Sequence, residues 1–272
     1  MPILEVNGTT LAYELVGTGP ACVVLPGWPG LDHAYLRPAL DPLGSRLRLA
    51  FVDHSGTGSS GPLAEPCTME QLADAAASLA LTMGDGAVVL LGHHLGAAVA
   101  LETALRHPDA VSGLVLVAGT PGQLGAGESL GDSLGEEPTP IEVEILQRVP
   151  PSTDDELAAT MQALSAYFTH RSPPPPEGCF AACSFAAAAA GPMMMASGWW
   201  SAVDRLGDIT VPALVIVGRH DVVHGPYEST RIASNLPGAR LVVLQDSGHL
   251  PWLDEPDAFT AAVIDWLDDV GL

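Results

Sequence analysis

Short apolar runs alternate with stretches of helical character along most of the chain. Residues 3–15 alternate apolar and polar side chains about Asn7-Gly8, a hairpin signal. Residues 21–25 (ACVVL) form an apolar run ending at Pro26-Gly27, and residues 47–53 (LRLAFVD) form another ending at a glycine-rich turn. Residues 87–91 (AVVLL), 113–117 (GLVLV), 213–217 (ALVIV) and 240–244 (RLVVL) continue the series. Between these runs, Thr68 and Gln71 make a capping box that starts a helix running to about Met83. A second helix is predicted from about Leu95 to Arg106, stopped at His107-Pro108, and others over Pro226–Asn235 and Pro256–Asp268. Buried strands alternating with helices give an α/β fold with a mostly parallel sheet covered on both faces.

The rhythm breaks over residues 120–207, which are rich in glycine, proline and acid. This stretch holds one clear helix, from about Thr153 to Thr169 with a Thr153/Glu156 capping box, then a proline run at 173–176. Phe180 to Met195 reads as a small-residue helix or a loop. The expected organisation is a core of residues 1–119 and 208–272 with a cap or lid of residues 120–207 over the strand ends.

Composition narrows the function. Ten Lys+Arg stand against 32 Asp+Glu, a formal charge of −22, and such a surface repels nucleic acid and anionic membranes. There is no run of 18 apolar residues to span a membrane, and the start MPILEVNGTTLAYEL lacks the basic and apolar regions of a signal peptide, so a cytoplasmic location is expected. Cys22, Cys67, Cys179 and Cys183 lack paired zinc spacing and read as buried thiols.

The chemistry concentrates in Val88-Val-Leu-Leu-Gly-His-His-Leu-Gly-Ala97, a strand, sharp turn and helix in which Gly92 and Gly96 flank His94 as in G-x-S-x-G. The elbow presents residue 94 at the top of the sheet and leaves the Leu95 N–H at a helix N-terminus, aimed at developing negative charge. Asp221 follows a strand in Val217-Gly-Arg-His-Asp221, and His249 follows another in Gln245-Asp-Ser-Gly-His249. The order elbow, acid, histidine is that of a hydrolase triad, in which Asp221 orients His249 as general base.

These motifs resemble the α/β-hydrolase superfamily, nearest its proline-iminopeptidase-like group. Pro26-Gly27-Trp28-Pro29-Gly30 matches that group's H-G-G-P-G, and Asp53-His-Ser55-Gly56-Thr-Gly58-Ser-Ser60 matches D-x-R-G-x-G-x-S. Gly218 to Asp221 matches G-R-x-D, and Gly248-His-Leu-Pro-Trp-Leu-Asp-Glu-Pro256 matches the terminal G-H-x-P-x-x-E-x-P. The resemblance covers residues 1–118 and 208–272 and implies an eight-stranded sheet. It also implies that Trp28 and Leu95 supply the N–H groups of an oxyanion hole. The departures are His94 for the serine, Pro26 for the motif histidine, Trp28 for the second glycine and Ser55 for the arginine.

With His94 at the elbow, the leading expectation is cofactor-free acid–base chemistry on a small, largely apolar substrate. His94, His249 and Asp221 would act together in elimination, isomerisation, cyclisation or C–C cleavage. Alternatives are ester or amide hydrolysis with His249 activating water, and a catalytically dead ligand-binding homologue. No cofactor or metal is expected, since Asp221 should sit behind His249 and His93 should point into the fold. Gly56-Thr-Gly-Ser-Ser-Gly61 is a literal dinucleotide motif, but Pro62 and Pro66 disrupt the helix it needs and Asp85 precedes the next strand. His33, His107, His170 and His224 read as surface or capping histidines, His54 as a residue near the pocket, and Met193 to Met195 with Trp199-Trp200 as cap packing.

Overall fold

The computed structural model describes residues 1–63, 65–84, 86–122, 151–170 and 179–272. Eight strands form one sheet: β1 (Ile3–Val6), β2 (Thr9–Val16), β3 (Ala21–Leu25), β4 (Arg48–Val52), β5 (Val88–His93), β6 (Val111–Val117), β7 (Ala213–Gly218) and β8 (Ala239–Leu244). Their order is β1-β2-β4-β3-β5-β6-β7-β8. β1 and β2 pair antiparallel about the Asn7-Gly8 turn, β2 pairs antiparallel with β4, and every later pairing is parallel. The central strands β3 and β5 are buried along their whole length, which is why they read as unbroken apolar runs.

Successive side chains leave a strand on opposite faces, and the core divides accordingly. Val23, Leu25, Leu90, Leu116 and Val215 pack on one face against helices α2 (Met69–Thr82) and α3 (Leu95–Arg106), which follow a single-turn α1 (Arg37–Leu40). Cys22, Val24, Val89, Leu91, Val115 and Ile216 pack on the other, against the final helix, whose Phe259, Val263 and Trp266 are buried. Both Thr68 and Gln71 make their reciprocal capping bonds at the start of α2.

The helical insertion lies between β6 and β7. Its described parts hold α4 (Asp154–Leu164), capped by Thr153, and α5 (Ala187–Gly198), which carries Pro192. α4 stops a turn earlier than its pattern suggests, passing into a 3₁₀ turn at Ser165–Tyr167. Of the helix and the loop both left open at Phe180 to Met195, the helix forms from Ala187 onward; the choice stayed open because its apolar positions surround the helix without a stripe. The proline run at 173–176 and Asp85 lie outside the described residues. Helices α6 (Pro226–Asn235), the one-turn α7 (Pro251–Asp254) and α8 (Pro256–Val270) complete the chain, and α8 ends where Gly271 adopts φ 74°.

Two stitches tie the insertion to the sheet's carboxyl end. The Leu250 N–H donates to the Phe168 carbonyl at 2.9 Å, and the His170 N–H donates to Asp254 Oδ2 at 2.9 Å. On the opposite side, the Ala186 N–H donates to the Gly30 carbonyl at 2.7 Å, and Ser184 gives both its N–H and its hydroxyl to Asp32 Oδ2.

Candidate active site

The sharp turn between β5 and α3 places His94 at φ 51°, ψ −115°. Holding a side chain there costs about 1–3 kcal/mol, so the surroundings must fix it in place. Its N–H donates to the Val117 carbonyl at 3.0 Å and its carbonyl accepts the Ala97 N–H at 3.1 Å. The flanking glycines are required by contact rather than by φ. A Cβ on Gly92 would lie 2.2 Å from the Gly96 carbonyl oxygen, and one on Gly96 would lie 2.1 Å from that of Leu25. Leu95 is the first residue of α3, so its N–H has no acceptor within the helix.

His249 and Asp221 are brought together from the loops after β8 and β7. His249 Nδ1 donates to both Asp221 oxygens, at 2.9 and 2.8 Å. Asp221 Oδ1 also accepts the Val223 and His224 N–H groups, at 2.8 and 3.0 Å, which fixes the carboxylate and folds the loop back. His249 is fully buried and Asp221 is 5% exposed. The carboxylate fixes the proton on Nδ1, leaving Nε2 as an acceptor, and Nε2 is buried without a hydrogen-bond partner.

The predicted triad positions therefore meet. The His94 and His249 ring centroids are 5.2 Å apart, with planes at 88°. Trp28 joins them through its indole, stacked on His94 at 4.7 Å and edge-on to His249 at 5.3 Å. Phe168 from the insertion packs on Trp28 at 4.6 Å and on His249 at 5.8 Å.

Three features escaped the sequence. His224 is no surface or capping histidine: its ring lies 4.5 Å from that of His94 and 6.0 Å from that of His249. Nothing local in Val222-Val223-His224 signals this; the Asp221 turn aims the residue inward. His33 is also buried, with Nδ1 2.6 Å from Asp53 Oδ1. Third, His93 points into the fold, as its place in the turn implies, but there it joins a relay. The Gly27 N–H donates to the Tyr35 hydroxyl at 2.8 Å, and that hydroxyl donates to His93 Nδ1 at 2.9 Å. His93 Nε2–H then donates to the His249 carbonyl at 3.3 Å. One chain of bonds thus links the turn after β3, the elbow strand and the loop of His249. His54 takes a similar supporting place, its Nε2–H donating to the Pro26 carbonyl at 3.1 Å.

Burial and mutual proximity lower the pKa of three of these imidazoles. Burial, then the neighbouring imidazoles His224, His249 and His93, hold His94 well below its ordinary 6.5. Burial and His249 do the same for His93, and burial with His249 brings His224 down to about 4. Burial pushes the Tyr35 hydroxyl far up, against the pull of the Gly27 and Trp28 amides. Among the described residues, no three His, Cys, Asp or Glu side chains converge as metal ligands. The Gly56–Gly61 turn closes on itself through a 2.7 Å bond and wraps Asp53, and the next helix opens only at Met69.

Fold and site meet in one lineage: the chain belongs to the alpha/beta hydrolase family, whose model matches residues 22–262. It is 24% identical to the proline iminopeptidase of Saccharolobus solfataricus, over 98% of this chain and 91% of that protein. It is 29% identical to the pimeloyl-[acyl-carrier protein] methyl ester esterase of Neisseria meningitidis, over 91% of this chain and 93% of that one. A thermophilic esterase from Thermogutta terrifontis superposes with a TM-score of 0.73 at 26% identity, covering 99% of this chain and 97% of that structure. Among the described residues, no helix is long and apolar enough to cross a membrane.

Proposed function

We propose that this protein hydrolyses small, largely apolar carboxylic esters, with water rather than residue 94 as the attacking group. The observation that carries the reading is His249 itself. Asp221 occupies its Nδ1, while Nε2 is buried, unpartnered and beside the elbow. A base needs that one free lone pair. His249 takes a proton from water as the water oxygen bonds to the ester carbonyl carbon. The carbonyl oxygen gains charge beside the Leu95 N–H at the start of α3. The intermediate collapses with cleavage of the C–O bond, and His249 returns its proton to the leaving alcohol. Ester and water become acid and alcohol, with the base restored. Esterase relatives support the ester over the amide, and the aromatic surround of Trp28, Phe168 and Phe180 supports an apolar acyl or alcohol group.

His94 favours a second reading. It sets a second neutral imidazole with an unpartnered Nδ1 beside His249, which suits proton transfer without hydrolysis. One experiment separates the two. The native protein, His94→Ser and His249→Ala are assayed on p-nitrophenyl acetate and butyrate and on proline p-nitroanilide. Ester turnover by the native protein that His249→Ala abolishes supports the hydrolase. An inert native protein with activity gained only in His94→Ser overturns it in favour of the second reading.

A further inference from the structure

The backbone on both sides of His249 is tied to the insertion. The Gly248 N–H donates to Asp254 Oδ2 at 2.8 Å, and the same oxygen accepts the His170 N–H at 2.9 Å. On the other side, the Leu250 N–H donates to the Phe168 carbonyl at 2.9 Å. Between them, the His249 carbonyl accepts the His93 Nε2–H. Close contact accompanies these bonds. A Cβ on Gly248 would lie 2.9 Å from the Phe168 carbonyl oxygen and 3.2 Å from the carbonyl carbons of Phe168 and Thr169. Those are main-chain atoms, which cannot swing aside as the tip of a side chain can. Gly248 lies outside the positive-φ region, so its missing side chain serves this approach and not a turn. Glu255 behaves differently. It accepts the Asp246 N–H at 2.9 Å and the Ser247 hydroxyl at 2.6 Å, and neither bond reaches the insertion.

We infer that Asp254 is a positioning residue for His249, acting by holding residues 168–170 of the insertion against the His249 loop. Three backbone anchors keep His249 where its Nδ1 meets both Asp221 oxygens, at 2.9 and 2.8 Å. Two of the three run to the insertion, one directly and one through the shared Asp254 oxygen. Bonds to a carboxylate are stronger than bonds to a neutral acceptor. One carboxylate oxygen can therefore hold two donors that come from different segments, here joining residues 84 apart. The buried Phe168 ring follows the same segment onto the site, 4.6 Å from the Trp28 ring and 5.8 Å from that of His249. A catalytic group displaced by 1 Å loses about 100-fold in rate. The insertion is thus more than a cover over the strand ends: it helps to set the imidazole that the hydrolysis uses.

The inference rests on the hydrolytic reading, and the test keeps the two apart. Asp254→Ala removes the shared acceptor. Gly248→Ala leaves Asp254 in place and sets a methyl against the insertion's backbone, so it carries the test if Asp254→Ala fails to fold. In either folded variant ester kcat should fall about 10- to 100-fold with KM within about threefold. Independently of turnover, the low-field proton resonance of the His249 Nδ1–H, assigned by its loss in His249→Ala, is recorded at pH 7. In both variants it should shift and broaden, because the bond to Asp221 loosens and its proton exchanges with solvent. A folded variant with kcat within twofold of native overturns the inference. So does a resonance that stays in place, even where kcat falls, since the insertion then acts on something other than His249. Ester turnover surviving His249→Ala instead overturns the hydrolytic reading, and the resonance still reports whether Asp254 positions the ring.

Discussion

Asp221–His249 and Asp53–His33 are the same pair chemically, each a buried carboxylate on an imidazole Nδ1, at 2.8 and 2.6 Å. Backbone N–H groups brace both acids, those of Val223 and His224 at Asp221 and those of His33 and Ser59 at Asp53. They differ at the far nitrogen. His33 Nε2 lies 3.8 Å from Glu14, so carboxylates flank the ring on both sides. Burial lowers the pKa of His33, but Asp53, Asp32 and Glu14 outweigh it and leave His33 raised. His249 Nε2 meets no acid and no hydrogen-bond partner, only rings. A carboxylate behind an imidazole orients it in either place. On the proposed mechanism, what lets one of them act as a base is an open second nitrogen; at the other, a second acid raises the pKa of the ring instead.

The largest test of that contrast removes each acid in turn. Asp221→Asn should lower ester kcat about 10³-fold or more, since the amide no longer fixes the tautomer or the charge of His249. Asp53→Asn should leave kcat within about twofold. It should cost about 1–3 kcal/mol in urea unfolding, because an amide cannot accept on both oxygens from the His33 ring, the His33 N–H and the Ser59 N–H that Asp53 gathers. If Asp53→Asn abolishes turnover at native stability, or Asp221→Asn leaves turnover unchanged, the division of labour between the pairs is wrong.

The same contrast explains what the sequence could disclose. Strand runs, the Thr68/Gln71 capping box and the glycine-flanked elbow are local patterns, and each appears in the structure near its expected bounds; at Thr153 only the N-cap forms, because the Glu156 carboxylate accepts from Ser152 instead. Asp221 and His249 were legible because each follows the carboxyl end of a strand in the parallel sheet, a position that such sheets reserve for ligands. His33 and His224 were not, because burial of a histidine depends on what a distant segment brings to it. Asp53 reaches His33 across 20 residues, and the Asp221 turn swings His224 under the elbow. The Tyr35–His93 relay joins residues 58 apart, and no spacing rule announces it. Trp28 could be read as an oxyanion-hole position, but its stacking on His94 depends on two backbones meeting. They come so close that a Cβ on Gly27 would lie 2.6 Å from the His94 Cβ.

A smaller test sharpens the comparison by asking whether the site's supports are separable from its chemistry. Tyr35→Phe removes the acceptor of the Gly27 N–H and the donor to His93 Nδ1, both buried. Stability should fall by about 1–2 kcal/mol. Ester kcat should fall only a few-fold, because the His249–Asp221 contact does not run through this hydroxyl. A loss of turnover as large as that of Asp221→Asn would place Tyr35 in the chemistry instead of behind it.

The smallest effect is in the pH dependence of stability, where the two regions should pull in opposite directions. His33 is raised from 6.5, so the folded state binds its proton more tightly than the unfolded chain does. Its contribution is complete below pH 6.5 and is lost as pH rises through the folded value. Asp53 is lowered from 3.8 because its bonds to His33 and Ser59 outweigh burial, so its contribution is lost only as pH falls below 3.8. The site imidazoles His93, His94 and His224 are lowered, so the unfolded chain binds their protons first and stability falls as pH drops below 6.5, for His224 down to about 4. In thermal melts between pH 6.5 and 8.5, His33→Asn should flatten the decline that the native protein shows with rising pH. Between pH 6.5 and 4, His224→Asn should lessen the acid decline while His33→Asn leaves it in place. If His33→Asn instead flattens the acid limb, His33 is buried neutral like the site histidines, and the flanking acids do not set its charge.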